Sequence, residues 1–145
     1  MSTGEQEAAG PAPVVLVVYS DDPTTRERVM LAIGRQPASD VGRIEYVECS
    51  STDEVLAELD AGGVDLAIFD GEAVPAGGMG VCRQVKSELR RCPPVLVITG
   101  RRDDRWLATW SLADASVSHP IDPILLVDAV LALLRSAAAL HRAAR

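Results

Sequence analysis

Short apolar runs alternate with longer amphipathic stretches along most of this chain. Pro13 to Tyr19 is continuously apolar and β-branched, the pattern of a parallel strand covered on both faces. Val64 to Asp70 and Pro94 to Gly100 read the same way, each bounded by turn residues. Arg43 to Cys49 alternates only in part, through Ile44, Tyr46 and Glu48, which suits an edge strand with one wetter side. Ala115 to Ser118 is a weak last strand. Between these runs the period changes. Thr24 to Gln36 carries Val29, Ala32 and Ile33 on one helical face, and Pro37 ends it. Ser50-Ser51-Thr52-Asp53 caps a helix with Val55, Leu56 and Leu59 as its stripe, closed by Gly62-Gly63. Gly80 to Arg90 presents Val81, Val85 and Leu89. Asp103 to Ala113 reads as a short helix with Trp106 and Trp110 one turn apart, and residues 123 to 142 as the last helix.

Strands that alternate with helices in this way imply a parallel sheet with helices on both faces. Right-handed crossovers make it a doubly wound α/β sheet of five strands, flavodoxin-like, in the order 2-1-3-4-5. Residues 1–13, rich in Ala, Gly, Pro and Glu, are expected to be a disordered tail, and residues 14–142 a single domain with no output domain after it.

Charge and composition narrow the function classes. Hydrophobic residues make up 48% and charged residues 24%, the balance of a soluble globular chain. A net charge of −7 disfavours a nucleic-acid surface. The first residues lack the basic start and apolar core of a secretory signal. Ile124 to Leu134 contains Asp128 and is too short to span a bilayer, so no membrane partner is expected. Cys49, Cys82 and Cys92 have no metal-ligand spacing and read as reduced thiols of a cytoplasmic protein.

The chemistry lies at the strand ends. Asp70 closes the central apolar run, where an open α/β sheet has its ligand crevice. Asp21 and Asp22 follow the first strand and Thr99 ends the fourth. In the order 2-1-3-4-5 those three strands are neighbours. Carboxylates gathered there repel one another unless a hard cation such as Mg²⁺ joins them. A metal-bound carboxylate beside a hydroxyl is a workable phosphoryl acceptor. Read singly, Asp70 starts a turn, Asp21 caps a helix and Thr99 bonds to backbone.

The order of these pieces resembles the receiver domain of bacterial response regulators over nearly the whole chain after the tail. The matching segments are VVLVVYSDDPTTR, DLAIFDG with the later GMGVCRQVK, VLVITG, and HPID before the last helix. The resemblance implies that Asp70 takes a phosphoryl group from a phosphohistidine on a partner kinase or phosphotransfer protein. It implies a Mg²⁺ ion held by Asp70 and an upstream acidic pair, with Thr99 binding a phosphoryl oxygen. It also implies a signalling module that is not itself an enzyme and acts on a downstream protein partner.

Four departures mark an atypical member. In one register the acidic pair falls on Ser20 and Asp21; shifted by one residue it is Asp21 and Asp22. His119 stands before Pro120 where the family has lysine, and an imidazole carries no fixed charge at neutral pH. The aromatic that rotates on activation falls at Ser116, and Pro75 sits one place later than the family's loop proline.

The last helix is apolar beyond the arc one sheet face requires. Asp128, Arg135 and Arg142 form a narrow polar stripe, with Leu126, Val130 and Leu133 opposite and Val127, Leu131 and Leu134 beside it. With Trp106 and Trp110, the last three suggest a partner surface, possible for a homodimer through the last two helices. Arg101, Arg102 and Arg105 form a basic cluster after Thr99. A phosphorylation-independent relic that only dimerises or binds a partner is the rival reading. Two enzyme readings fail on residues. A haloacid-dehalogenase-type phosphatase needs an Asp where Glu72 stands, and the acidic first loop would repel a flavin phosphate.

Overall fold

A computed structural model describes residues 10–72, 77–100 and 109–143. The five apolar runs form β1 (Val14–Tyr19), β2 (Ile44–Cys49), β3 (Leu66–Asp70), β4 (Val95–Thr99) and β5 (Ala115–Ser118). They pair in parallel in the order β2-β1-β3-β4-β5, as the sequence pattern predicts. Four helices are described in full: α1 (Pro23–Ile33), α2 (Thr52–Ala61), α3 (Gly78–Glu88) and α4 (Pro123–Ala143). Of the helix expected between β4 and β5, Thr109 and Trp110 are helical. Arg101, Arg102, Arg105 and Trp106 lie outside the described residues, as do residues 1–9 and Pro75.

Every residue of β3 and β4 is buried, so side chains pointing either way need cover. On one face Leu16, Val18, Ile68, Leu96 and Ile98 pack against Val29 and Ile33 of α1 and Leu126 and Val130 of α4. On the other, Val17, Tyr19, Phe69 and Val97 meet Val55 and Leu59 of α2 and Val81, Cys82 and Val85 of α3. Each such Leu, Val, Ile or Phe contributes about 1.5–3 kcal/mol by leaving water. β2 is an edge strand, with Glu45 and Glu48 exposed, and β5 lies at the other edge.

The sheet's entry end is fixed by two aspartates in matching positions. Asp65, one residue before β3, exchanges bonds with Val15: each backbone N–H of the pair is met, the Val15 N–H by Asp65 Oδ2 at 2.8 Å. Asp114, one residue before β5, does the same for Val95, its Oδ2 accepting at 2.7 Å while also pairing with Lys86 Nζ. These side chains occupy ladder positions that the strands themselves leave open.

α4 differs from the expectation in two ways. Leu131 and Leu134, assigned by pattern to an outward surface, are half-buried against the core, because α1 lies alongside α4 and widens its covered arc. Arg135 joins that contact with a two-pronged pair to Asp40, both distances 2.9 Å. Its exposed large side chains are instead Ile124, Leu125 and Leu140, with Val127 half-buried. The stretch Pro123–Leu140, with mean hydropathy 1.9, is also longer than the apolar run first read. By length and composition it passes for a membrane span, yet here Leu126 and Val130 seat it on the sheet.

Candidate functional site

The carboxyl ends of β1, β3, β4 and β5 converge, and each delivers one polar side chain. β3 ends in Asp70, whose residue is only 5% exposed despite its charge. β1 is followed by Ser20, β4 ends in Thr99, and both are fully covered. His119 follows β5, its backbone N–H donating to the Thr99 carbonyl at 2.8 Å. The His119–Pro120 peptide is cis.

Asp70 is held by donors on both oxygens. Ser20 Oγ donates to Oδ2 at 2.8 Å. The backbone N–H of Glu72 donates to Oδ1 at 3.0 Å, and His119 Nε2 approaches the same oxygen at 3.5 Å. Thr99 Oγ1 faces the Val117 carbonyl at 3.4 Å.

Ser20 faces Asp70, while Asp22 is turned away as the N-cap of α1. Its Oδ1 accepts the Thr24 N–H at 2.9 Å and its Oδ2 the Thr25 hydroxyl at 3.3 Å. In this structure helix capping takes up the Asp22 carboxylate. The capping role considered for Asp21 moves with it. Asp21 is exposed beside Ser20.

Ser20 enters the sequence reading only as one position of the acidic pair, yet it is the residue that touches Asp70. Its Oγ receives the Asp22 N–H at 3.1 Å, and its carbonyl accepts from Arg26 Nη1 at 2.6 Å. Arg26 Nε also pairs with Glu48 at 3.0 Å, so one guanidinium ties α1, the β1 end and the edge strand together. A buried Ser after an apolar strand was the available signal.

Two glycines let the backbone close around the site. A Cβ on Gly78 would run into the Asp70 carbonyl, and one on Gly71 would lie 2.6 Å from the Ile98 carbonyl oxygen. Beneath Asp70, Tyr19 and Phe69 stack edge-to-face with centroids 6.0 Å apart, and the Tyr19 hydroxyl is buried without a hydrogen-bond partner.

A divalent cation needs one or two carboxylates with water and phosphate completing the shell. Asp70 and Asp21 meet that minimum, with a hydroxyl where a further acid would strengthen it. Among the described residues no three His, Cys, Asp or Glu side chains are grouped for metal. Trp110 is 47% exposed, with Arg83 stacked over its ring at 4.9 Å.

No family model matches the chain. A curated relative, named an uncharacterised response regulatory protein and found in two strains of Mycobacterium tuberculosis, is 54% identical over 123 residues. That match covers 85% of this chain and 92% of the relative. Among solved structures, a putative response regulator from Chloroflexus aurantiacus superposes with a TM-score of 0.72 at 24% identity, covering 86% of this chain and 99% of the other. The signal receiver domain of the putative response regulator NarL from Mycobacterium tuberculosis gives 0.69 at 25% identity, covering 86% and 98%.

Proposed function

The chain belongs to the response regulator receiver family, and from that premise we propose that it is an atypical receiver that accepts a phosphoryl group on Asp70. The observation that carries this reading is the buried Asp70 carboxylate, met on both oxygens at the point where four strand ends converge.

A carboxylate oxygen of Asp70 attacks the phosphorus of a phosphohistidine on a kinase or phosphotransfer protein. The P–N bond breaks, its electron pair returns to the imidazole, and an acyl phosphate forms. Mg²⁺ held by Asp21 and Asp70 would supply charge neutralisation at the phosphoryl oxygens. Ser20 and the Glu72 N–H fix the direction of the carboxylate. Thr99 and His119 offer donors to the incoming phosphoryl group from the β4 and β5 side. The modified surface then acts through contact with a downstream protein, in the cytoplasm. Incubation with a phosphorylated histidine kinase should move the label onto this chain in a form labile to base and to hydroxylamine. Retention of all label on the kinase would contradict the reading.

A second reading keeps the fold and drops the chemistry: constitutive dimerisation or partner binding without phosphorylation. Exposed Ile124, Leu125 and Leu140 on one helix favour it. A single molar mass in solution, unchanged by Asp70→Asn, separates the two.

A further inference from the structure

Two side chains from distant parts of the sequence grip the same carboxylate from opposite sides. Ser20, at the end of β1, donates to Asp70 Oδ2 at 2.8 Å. His119, past β5, approaches Oδ1 at 3.5 Å. The third partner, the Glu72 N–H, is neutral backbone. Among the described residues Arg26 is bound to this loop, its Nη1 donating to the Ser20 carbonyl and its Nε pairing with Glu48.

The Asp70 side chain is only 7% exposed, a depth at which an ion requires donors or an opposite charge. We propose that Ser20 and His119 are a matched pair acting through Asp70, in which a neutral donor on the β1 side permits an imidazole on the β5 side. A second acid at position 20 would lie in contact with Asp70, and like charges that close repel strongly. Such a site then demands a fixed cation on its other flank, which is where His119 stands. With Ser20 in place that demand is absent, and among the described residues the acceptor is met by the Ser20 hydroxyl, the Glu72 N–H and the His119 ring. The functional weight of the pair rests on the acceptor reading above; the contacts themselves do not.

Four proteins test this: the wild type, Ser20→Asp, His119→Lys, and both changes together, without phosphodonor. Ser20→Asp should lower the thermal midpoint by several degrees without Mg²⁺, and His119→Lys should restore most of that loss. In the Ser20 background the same lysine should change the midpoint little. Calorimetric titration should show Mg²⁺ binding about tenfold tighter in Ser20→Asp than in the wild type. Equal effects of the lysine in both backgrounds would overturn the pairing, as would a Ser20→Asp protein as stable as the wild type. Ser20→Asn controls for size: if it loses as much stability as Ser20→Asp, charge is not the cause and the proposal fails. Because no phosphodonor is used, a wild type that never accepts phosphate sinks the acceptor reading and leaves this result standing.

Discussion

Gly78, the first residue of α3, lies against the main chain of Asp70 so closely that a Cβ there would overlap the Asp70 carbonyl oxygen. The helix start and the acceptor's backbone therefore share one space that only glycine leaves open. Gly78→Ala should force one of them to shift, costing about 1–3 kcal/mol as overpacking does. Urea denaturation measures the loss, and the rate of phosphorylation by acetyl phosphate should fall with it. Unchanged values in both would show that α3 relaxes freely away from Asp70.

Asp21 and Asp22 are adjacent in sequence and serve different ends. Asp22→Ala removes the cap of α1 and should cost about 1 kcal/mol in unfolding free energy. Its Mg²⁺ response should stay near that of the wild type. Asp21→Ala should reverse the pattern, with stability held and Mg²⁺ binding weakened. Denaturation and calorimetric Mg²⁺ titration of both variants check the assignment, and loss of Mg²⁺ binding in Asp22→Ala would contradict it.

On α4, burial separates fold from surface. Leu131→Glu places a charge against the core and should destabilise the domain by about 2–4 kcal/mol. Ile124→Glu changes a residue 72% exposed and should stay within about 0.5 kcal/mol of the wild type. If the last helix carries an interface, Ile124→Glu lowers the solution molar mass while the fold is intact. Light scattering beside thermal unfolding reads both.

Burial pushes the Cys49 and Cys82 thiols up to about 11 and raises that of Cys92. A thiol pKa raised on folding favours the folded state below the unfolded value, and that contribution is lost as pH rises from about 9 toward about 11. Native protein at mildly alkaline pH should therefore resist alkylation at Cys49 and Cys82, while denatured protein reacts at both. Stability should decline through the same alkaline window. Rapid labelling of either thiol in the native state would contradict this packing.

Most of the fold was legible because it rests on periodicity that one sequence displays. The bounds of β5, the capping stretch that holds Ser51, and the buried pairs Val29/Ile33 and Val81/Val85 follow from spacing and turn chemistry. What spacing does not carry is direction. Ser20 and Asp21 are both polar residues after a strand, and only the pleat of β1 decides which faces Asp70. Likewise Leu131 and Leu134 look outward on a helix considered alone. The flank of α1 covers them, and that contact spans about a hundred residues of sequence, as the Arg135 pair with Asp40 illustrates.

The central claim, that Asp70 accepts a phosphoryl group, is tested most directly by intact-protein mass after incubation with acetyl phosphate and Mg²⁺. The wild type should gain the mass of one phosphoryl group, the gain should require Mg²⁺, and Asp70→Asn should gain nothing. No gain in the wild type, under conditions that modify an ordinary receiver, would contradict the account. So would an equal gain in Asp70→Asn.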